Sequence, residues 1–269
     1  MTVIVSVKIN DGVVMAADSA GSMPSGQVYL HANKITHLCE GLSLGAMSTG
    51  AGGIGDESVE TLLKDLRRRF AGLEPSHASW RLEPNAYTVE DAARRLRAFL
   101  FEEKALACAA ETNLQVRVCG YSAGRPLAEV WEVNIAGRAC PEPRRVMGEG
   151  EFGVLWDGQY EALNRLILGT GYEIGAALAR HDVAPDRVSQ MKAGLVADLY
   201  ATLSAPAMPI QDAIDLARFL VETTIGFVRF AVFLPKSVGG AVQIAAITKH
   251  EGFRWVQRRG FDAAPPPSA

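Results

Sequence analysis

The sequence predicts an α+β fold arranged as a four-layer αββα sandwich. Short β-branched runs and longer amphipathic runs occur in separate groups along the chain, and they do not alternate one by one. The strand-like runs cover roughly the first fifty residues, 113–135 and 240–257, and the helix-like runs cover 56–70, 88–110 and much of 152–228. Such grouping favours sheets that pack face to face with helices on their outer sides.

The first two strands are predicted from a hairpin signal. Thr2–Val7 is apolar and β-branched, and it is followed by Asn10-Asp11-Gly12, an Asp-Gly turn sequence. Val13–Ala17 then returns as a second apolar strand and ends at Asp18. Because strands joined by a tight turn start and finish side by side, we expect Thr2 and Asp18 at the same edge of a sheet.

The helices are predicted from apolar spacing and from a start signal. In 56–70, apolar residues recur at intervals of three and four, with charged residues between them: Val59, Leu62, Leu63, Leu66 and Phe70. Thr88 and Asp91 form a helix-start box ahead of the run 89–110. The long run 152–228 is interrupted by glycine and proline, and its section 169–203 is predicted to be a helical insertion.

Three side chains near the start form a candidate catalytic set: Thr2, Asp18 and Lys34, spaced at sixteen-residue intervals. Removal of Met1 would make Thr2 the first residue, and its own α-amine could then take the proton from its hydroxyl. The structural alternative is that Asp18 merely ends a strand and Lys34 is a solvated cation. The strand pattern around all three favours the catalytic interpretation.

This region resembles a known family. The pattern T-x-x-V-S-V-x-x-x-D-G-V-V-x-A-A-D, followed by Lys34-Ile35, is similar to the N-terminal signature of proteasome β-type subunits, which are N-terminal nucleophile (Ntn) hydrolases. The similarity is dense over residues 2–56 and weaker afterwards. The length of the chain, and processing by Met removal alone, resemble the bacterial proteasome-homologue branch, with the ancestral-β-subunit branch next.

The resemblance implies a threonine hydrolase mechanism. Thr2 Oγ would attack a peptide carbonyl while its α-amine accepts the proton. A free α-amine has a pKa of roughly 7.7–8.0, and a cationic Lys34 beside it would lower that pKa. Asp18 would hold Lys34 charged and oriented, and water would then hydrolyse the acyl-enzyme ester.

The family also implies a backbone N–H donor for the oxyanion and two supporting positions. The donor lies in the glycine-containing turn after the strand 42–47, where Gly50 is the first choice and Ser48 is the ungapped alternative. Glu149 stands where the family has serine in Gly-Ser-Gly, and a carboxylate near the amine would oppose its action as a base. Ser237 lies one place early in a segment that also lacks the family's aspartate.

Other motifs are better explained as turns. Gly120–Gly124 fits the nucleophile elbow G-x-S-x-G, with Ser122 at its centre, but strand-like sequence flanks it on both sides. An elbow needs a strand before it and a helix after it, so we predict a hairpin. Gly50–Gly55 and Gly148–Gly153 fit G-x-G-x-x-G without a convincing βαβ context, so no dinucleotide site is predicted.

Composition limits the partners, cofactors and cellular location that can be expected for this chain. The chain has 269 residues, 48% of them hydrophobic, and a formal net charge of −3 without a long basic block, so nucleic acid is not an expected partner. The four cysteines are scattered, which favours reduced thiols, and no metal or other cofactor is predicted. The longest apolar tract contains Glu222 and Arg229, so we expect neither a membrane partner nor a membrane span. A cytoplasmic location is expected because no secretory signal is recognised.

The predicted organisation is one domain over 1–262, with a disordered proline-rich tail at 263–269. The resemblance implies self-association into a heptameric or hexameric double ring that degrades peptides or unfolded proteins. No phosphate-binding loop sequence occurs, so any ATPase partner would be a separate protein.

Three functions follow from these observations. The favoured one is a threonine peptidase subunit of a proteasome-like ring. The alternatives are an Ntn amidase acting on a specialised small amide, which Glu149 and the missing late aspartate favour, and a non-catalytic ring subunit. Structural α-type subunits carry a helix ahead of the first strand, whereas this chain opens on the strand itself.

Overall fold

A computed structural model describes residues 2–22 and 27–258 of the chain. The predicted tail at 263–269 lies outside the described residues, as do residues 259–262 at the end of the predicted domain. The described chain combines helices with antiparallel sheets, so the α+β class is confirmed.

The strands are short and lie mostly in two groups. Their bounds are β1 (Val3–Ile9), β2 (Gly12–Ala17), β3 (Gly21–Ser22), β4 (Val28–Tyr29), β5 (Ile35–His37), β6 (Leu44–Gly50), β7 (Gly53–Ile54), β8 (Glu57–Ser58), β9 (Thr112–Gly120), β10 (Glu129–Gly137), β11 (Arg144–Met147), β12 (Gly153–Gly158), β13 (Gln243–Thr248) and β14 (Gly252–Gln257).

The helices follow the two main groups of strands. Their bounds are α1 (Val59–Phe70), α2 (Val89–Arg97), α3 (Glu161–Leu163), α4 (Ile174–Arg180), α5 (Pro185–Leu199) and α6 (Ile210–Phe230). A 3₁₀ helix covers Pro75–Trp80, and π-helical segments continue α2 and α3 over Ala98–Ala105 and Asn164–Leu168. Thr88 Oγ1 accepts a hydrogen bond from Asp91 N at 3.0 Å, which confirms the predicted start of α2.

Two five-stranded antiparallel sheets form the centre of the molecule. The first sheet has the order β12-β1-β2-β13-β14, and the second has the order β11-β10-β9-β6-β5. In the predicted hairpin, Ile4 lies opposite Ala17 and Ile9 lies opposite Gly12. The last long strand, β13, pairs with β2 inside the first sheet, so both ends of the chain contribute to one sheet.

Strand alternation divides the hydrophobic core into three parts. On β1, Val3, Val5, Val7 and Ile9 pack with α6, whereas Ile4 packs between the two sheets. The core between the sheets also contains residues from both, such as Met15 and Met47. Helices α1 and α2 pack against the other face of the second sheet. Each sheet therefore has one face toward the other sheet and one face toward helices.

The predicted helical run 152–228 is wrong at its start, where β12 is a strand. Its sequence, Gly-Val-Leu-Trp-Asp-Gly, pairs with β1 along its whole length. Six residues, of which the first and the last are glycine, are too few for apolar periodicity to separate a strand from a helix. The predicted helix 88–110 also ends early, because π-helical turns over Ala98–Ala105 close it. The helical character predicted for 169–203 is confirmed by α4 and α5, neither of which contains a buried residue.

An ion pair between a buried arginine and a partly exposed aspartate links the two sheets. Arg117 on β9 is 3% exposed, and its Nη2 donates to Asp157 Oδ2 on β12, while its Nη1 donates to Ser6 Oγ at 3.3 Å. Burial lowers the pKa of Arg117 to about 10. A guanidinium in such a position depends on its acceptors, because Asp157 and Ser6 replace part of the hydration that burial removes.

We expect Asp157→Asn to lower the free energy of unfolding by roughly 2–4 kcal/mol, because it leaves the Arg117 guanidinium without its carboxylate. Urea unfolding followed by tryptophan fluorescence measures the loss. Glu74→Gln is the matched control, since it breaks an exposed ion pair with Arg68 and should cost less than about 1 kcal/mol. Equal stability of the two variants would contradict a structural role for the Arg117–Asp157 pair.

Candidate active site

The first hairpin brings Thr2 and Asp18 to the same edge of the first sheet. Asp18 N donates to Val3 O at 3.3 Å, and Val3 N donates in return to Asp18 Oδ1 at 3.0 Å. The residue that follows Thr2 is therefore bonded to both the backbone and the side chain of Asp18. The proximity that the hairpin signal predicted is present, and it results from the register of β1 and β2.

Asp18 and Lys34 form a buried ion pair. Lys34 Nζ lies 2.6 Å from Asp18 Oδ1, Asp18 is fully buried, and Lys34 is 6% exposed. Asp18 Oδ2 accepts hydrogen bonds from Ala20 N at 3.1 Å and Gly239 N at 3.0 Å. Together with Lys34 Nζ and Val3 N, four donors therefore surround this carboxylate. Such a complete set of partners fixes the carboxylate in one position, and the ammonium group with it.

Burial lowers the pKa of Lys34 below its ordinary value of 10.5. The charge of Asp18 and its hydrogen bond to Nζ act in the opposite direction and oppose the effect of burial. The ammonium group is thus the form that Asp18 stabilises, although it has lost most of its hydration. A cation held in this way can act on neighbouring groups with little screening by solvent.

Gln243 on β13 holds the segment that carries Lys34, and the sequence analysis missed this residue. Gln243 Oε1 accepts from Lys34 N at 3.1 Å, and Gln243 Nε2 donates to Ala32 O and Asn33 Oδ1, each at 3.0 Å. The side chain is 2% exposed. No local pattern marks a glutamine that binds a segment 209 residues away, so only the pairing of β13 with β2 reveals it.

The carbonyl side of Thr2 is held by the end of β12. Gln159 N donates to Thr2 O at 2.6 Å, and Thr2 is 6% exposed. Gly158 has a φ of +85°, and a Cβ at this position would lie 1.9 Å from Thr2 O. Only glycine therefore fits beside Thr2 here. A strand that ends in Gly-Gln just before a helix is the sequence signal for this contact, and the prediction of a helical run over 152–228 conceals it.

The prediction that Glu149 supports Thr2 is wrong. Lys8 pairs with Gly153 and Val3 pairs with Gly158, so the loop before β12 lies at the far end of β1. These two pairs are five residue steps apart along the strand, a distance of about 16 Å. There Glu149 O accepts from Lys8 Nζ at 3.0 Å, and Glu149 Oε1 accepts from Arg125 Nε at 2.6 Å. The motif Gly148-Glu149-Gly150 was misleading, because Gly158 and Gln159 are the residues that lie beside Thr2.

Ser237 lies two residues before Gly239, which contacts Asp18, but the Ser237 hydroxyl is used locally. Ser237 Oγ donates to Pro235 O at 3.3 Å, within its own loop. The same loop reaches Asp18 through the backbone N–H of Gly239, and Gly239 O accepts from Ser19 N at 3.0 Å. The segment is thus close to the predicted site, and the contact that it makes is a backbone contact.

The two candidate oxyanion donors differ in their hydrogen bonding. Ser48 N donates to Lys34 O at 3.0 Å, so this N–H already has an acceptor. Ala51 N donates to Asn113 O at 2.7 Å, which means that alternate residues of β6 direct their N–H groups toward β9. By this alternation Gly50 N–H is directed away from β9, on the same side as Ser48 N–H. Gly50 has a φ of +102° at the end of β6.

The remaining motifs are turns, as predicted. Ser122 lies in the connection between β9 and β10, which pair as an antiparallel hairpin, and its Oγ donates to Glu129 Oε1 at 2.6 Å. Gly50–Gly55 leads from β6 into the small hairpin β7–β8, and Gly148–Gly153 leads from β11 to β12. All four cysteines lie in the described part of the chain, and none of them is in a disulfide.

Among residues 2–22 and 27–258, no group of three or more His, Cys, Asp or Glu side chains is arranged to hold a metal ion. Within the same ranges, no helix has both the length and the apolar character that crossing a bilayer requires.

No protein-family model matches the chain, and no curated protein matches it in sequence.

We expect Gln243→Leu to loosen the segment around Lys34, because it removes three hydrogen bonds at a buried position. Amide hydrogen exchange over 31–35 should become at least about tenfold faster, with a loss of roughly 1–3 kcal/mol in the free energy of unfolding. Gln257→Leu places the same substitution at an exposed site on β14 and should change neither quantity. Unchanged exchange over 31–35 in Gln243→Leu would rule out this clamp.

The lowered pKa of Lys34 predicts how stability depends on pH. Between that lowered pKa and 10.5, the unfolded chain holds a proton on Lys34 that the folded chain has released. The free energy of unfolding should therefore rise with pH over this window, by this group's contribution. Urea unfolding at several alkaline pH values should give a steeper rise for the wild type than for Lys34→Met. Identical slopes would count against a lowered pKa of Lys34 in the folded chain.

Proposed function

We propose that this chain is an Ntn threonine hydrolase of the proteasome β type, most similar to the bacterial proteasome-homologue branch. Its activity would be that of a threonine peptidase subunit in a self-compartmentalised ring. The observation that carries the proposal is the buried Asp18–Lys34 pair, bonded to the backbone of the residue next to Thr2. An apolar pair at these two positions would stabilise the fold at least as well as the buried ion pair. The ammonium group therefore favours a functional role over a purely structural one.

The layering of the molecule supports the proposed family. Two sheets pack against each other, α6 packs on one outer face, and α1 and α2 pack on the other. We interpret this arrangement as the four-layer αββα sandwich of Ntn hydrolases. In such a sandwich the nucleophile stands at the start of a central strand, which is the position of Thr2 before β1.

The proposed reaction begins with removal of Met1, which frees the α-amine of Thr2. That amine takes the proton of Thr2 Oγ, and the oxygen forms a bond to the substrate carbonyl carbon. The Lys34 ammonium disfavours a second positive charge on the amine, so the pKa of the amine falls and more of it is available as base. The amine then returns the proton to the leaving nitrogen, and the C–N bond breaks. Water hydrolyses the remaining ester and restores Thr2.

We assign the oxyanion donor to Gly50. Its N–H is directed away from β9, and the residue lies across from the Thr2 end of β1, near Gly158. The competing donor, Ser48 N, would first have to release Lys34 O. One well-placed donor of this kind is worth roughly 3–4 kcal/mol in an acyl-transfer reaction.

The peptidase is favoured over the amidase because one argument for the amidase has been removed. That argument required a carboxylate, Glu149, beside the Thr2 amine, and Glu149 is paired with Arg125 near the other end of β1.

The proposed assembly is a homo-oligomeric double ring, heptameric or hexameric. Several large apolar side chains at the end of α6 and just after it are available for such contacts, including Phe230, Val232 and Phe233, which are 75%, 97% and 61% exposed.

The decisive test replaces the nucleophile. Thr2→Ala should lower turnover of fluorogenic peptides at least about a thousandfold, because no other group supplies the attacking oxygen. Thr2→Ser should keep measurable turnover, and Thr61→Ala on the surface of α1 should match the wild type. Intact mass should show loss of Met1, and a vinyl sulfone or β-lactone probe should label wild-type protein but not Thr2→Ala.

Two outcomes would overturn the proposal. One is a retained Met1 in protein that still cleaves peptides. The other is equal turnover by wild type and Thr2→Ala. Cleavage of a single small amide, with no peptide turned over, would favour the amidase. Absence of both turnover and labelling would favour a non-catalytic ring subunit.

A further inference from the structure

A trough opens beside Thr2 where strand ends from the two sheets meet. It has a volume of about 350 Å³, which is within the range of ligand sites in proteins. The ends of β6, β9, β10 and β12 surround it, and the residues relevant to the argument are Gly50, Asn113, Gln115, Asn134, Asp157 and Gly158. Of these residues, the sequence analysis singled out only Gly50.

The trough adjoins the proposed site through Gly158 and Gly50. Gly158 contacts Thr2, since a Cβ on this glycine would lie 1.9 Å from Thr2 O and 2.8 Å from Thr49 Oγ1. Gly50, the proposed oxyanion donor, lies in the lining itself. A substrate whose carbonyl is held by Gly50 therefore has part of its chain at the mouth of the trough.

One wall of the trough offers backbone hydrogen bonds. β12 is the outermost strand of the first sheet, and Gln159 N donates to Thr2 O. By alternation, the N–H and C=O of Gly158 are directed away from β1, toward the open edge of the sheet. Open strand edges bind extended peptides, because the peptide continues the ladder with its own backbone groups.

The floor of the trough is lined by carboxamides. Asn113 uses its Oδ1 to accept from Gly137 N at 3.2 Å, and Gln115 uses its Nε2 to donate to Glu132 Oε2 at 2.7 Å. These bonds leave the Asn113 amino group and the Gln115 carbonyl oxygen able to bond a ligand. Asn134 lies opposite Gln115 on β10 and is exposed.

The charges near the floor are already paired. Asp157 accepts from Arg117, and Glu132 accepts from Arg144 Nη2 at 3.2 Å. A charged substrate side chain that enters the trough would lose hydration without gaining an opposite charge. An uncharged polar side chain would exchange its water for the donors and acceptors of the three carboxamides.

We propose that this trough is a substrate subsite that holds the residues on one side of the scissile bond. The substrate runs extended along the open edge of β12 at Gly158, and the floor selects uncharged polar side chains such as Asn, Gln, Ser and Thr. The inference rests on the proposed peptidase function and adds the substrate class that this side of the site prefers.

The test uses the full chain in its assembled form and peptide libraries varied at each position on both sides of the cleaved bond. Asn134→Asp and Asn134→Lys place opposite charges in the trough without touching Thr2, Asp18 or Lys34. Ala207→Asp and Ala207→Lys are matched controls, because Ala207 is exposed in a loop whose Pro206 O accepts from Asn10 N, at the opposite end of β1.

The expected result is a change at one or two positions on a single side of the bond. Wild type should prefer uncharged polar residues there. Asn134→Asp should raise the kcat/KM ratio for Lys over Glu by about 3- to 10-fold, and Asn134→Lys should lower it by a similar factor. The control variants should leave every position unchanged.

Failure of this inference differs from failure of the proposed function. If wild type cleaves peptides in a Thr2-dependent way while both Asn134 variants behave like the Ala207 controls, the subsite is overturned and the peptidase stands. A wild-type preference for charged residues at the affected positions also overturns it. If Thr2→Ala cleaves as well as wild type, or no peptide is cleaved, the proposed function fails and the subsite with it.

Discussion

The candidate site depends on a carboxylate that has no contact with solvent. Asp18 accepts hydrogen bonds from four donors, which come from β1, from its own turn, from the segment of Lys34 and from the loop before β13. The four hydrogen bonds fix the position of the carboxylate, and the carboxylate in turn fixes the four groups that donate to it. The position of the Lys34 ammonium is therefore a result of the whole first sheet.

This constraint explains why β1 is held at both ends. Near Thr2, Val3 is bonded to Asp18, and Thr2 O accepts from Gln159 N. At the other end, Lys8 is 1% exposed and its Nζ donates to the carbonyl oxygens of Glu149 and Glu151. Burial lowers the pKa of Lys8, and the carbonyl oxygens and nearby acids are what compensate its charge. A strand bound in this way holds Thr2, the residue before it, in one position.

The sequence predicted those parts of the site that local chemistry determines. The Asp-Gly turn fixes the register of β1 and β2, so the closeness of Thr2 and Asp18 could be predicted from a few residues. The contacts of Gly158 and Gln243 could not be predicted in this way, because each depends on a strand from a distant part of the chain. The error at Glu149 has the same origin. Gly148-Glu149-Gly150 and Gly158-Gln159 are similar as sequences, and only the pairing of β12 with β1 shows that the second one lies beside Thr2.

The place of β13 in the first sheet has a consequence for when the site can exist. β13 lies between β2 and β14, and it supplies Gln243, while the loop before it supplies Gly239 to Asp18. A ribosome synthesises Gln243 209 residues after Lys34, and later still after Asp18 and Thr2. A nascent chain therefore contains Asp18 and Lys34 long before it can form the contacts that hold them in position. The candidate site can form only after the strand that carries Gln243 has joined the first sheet.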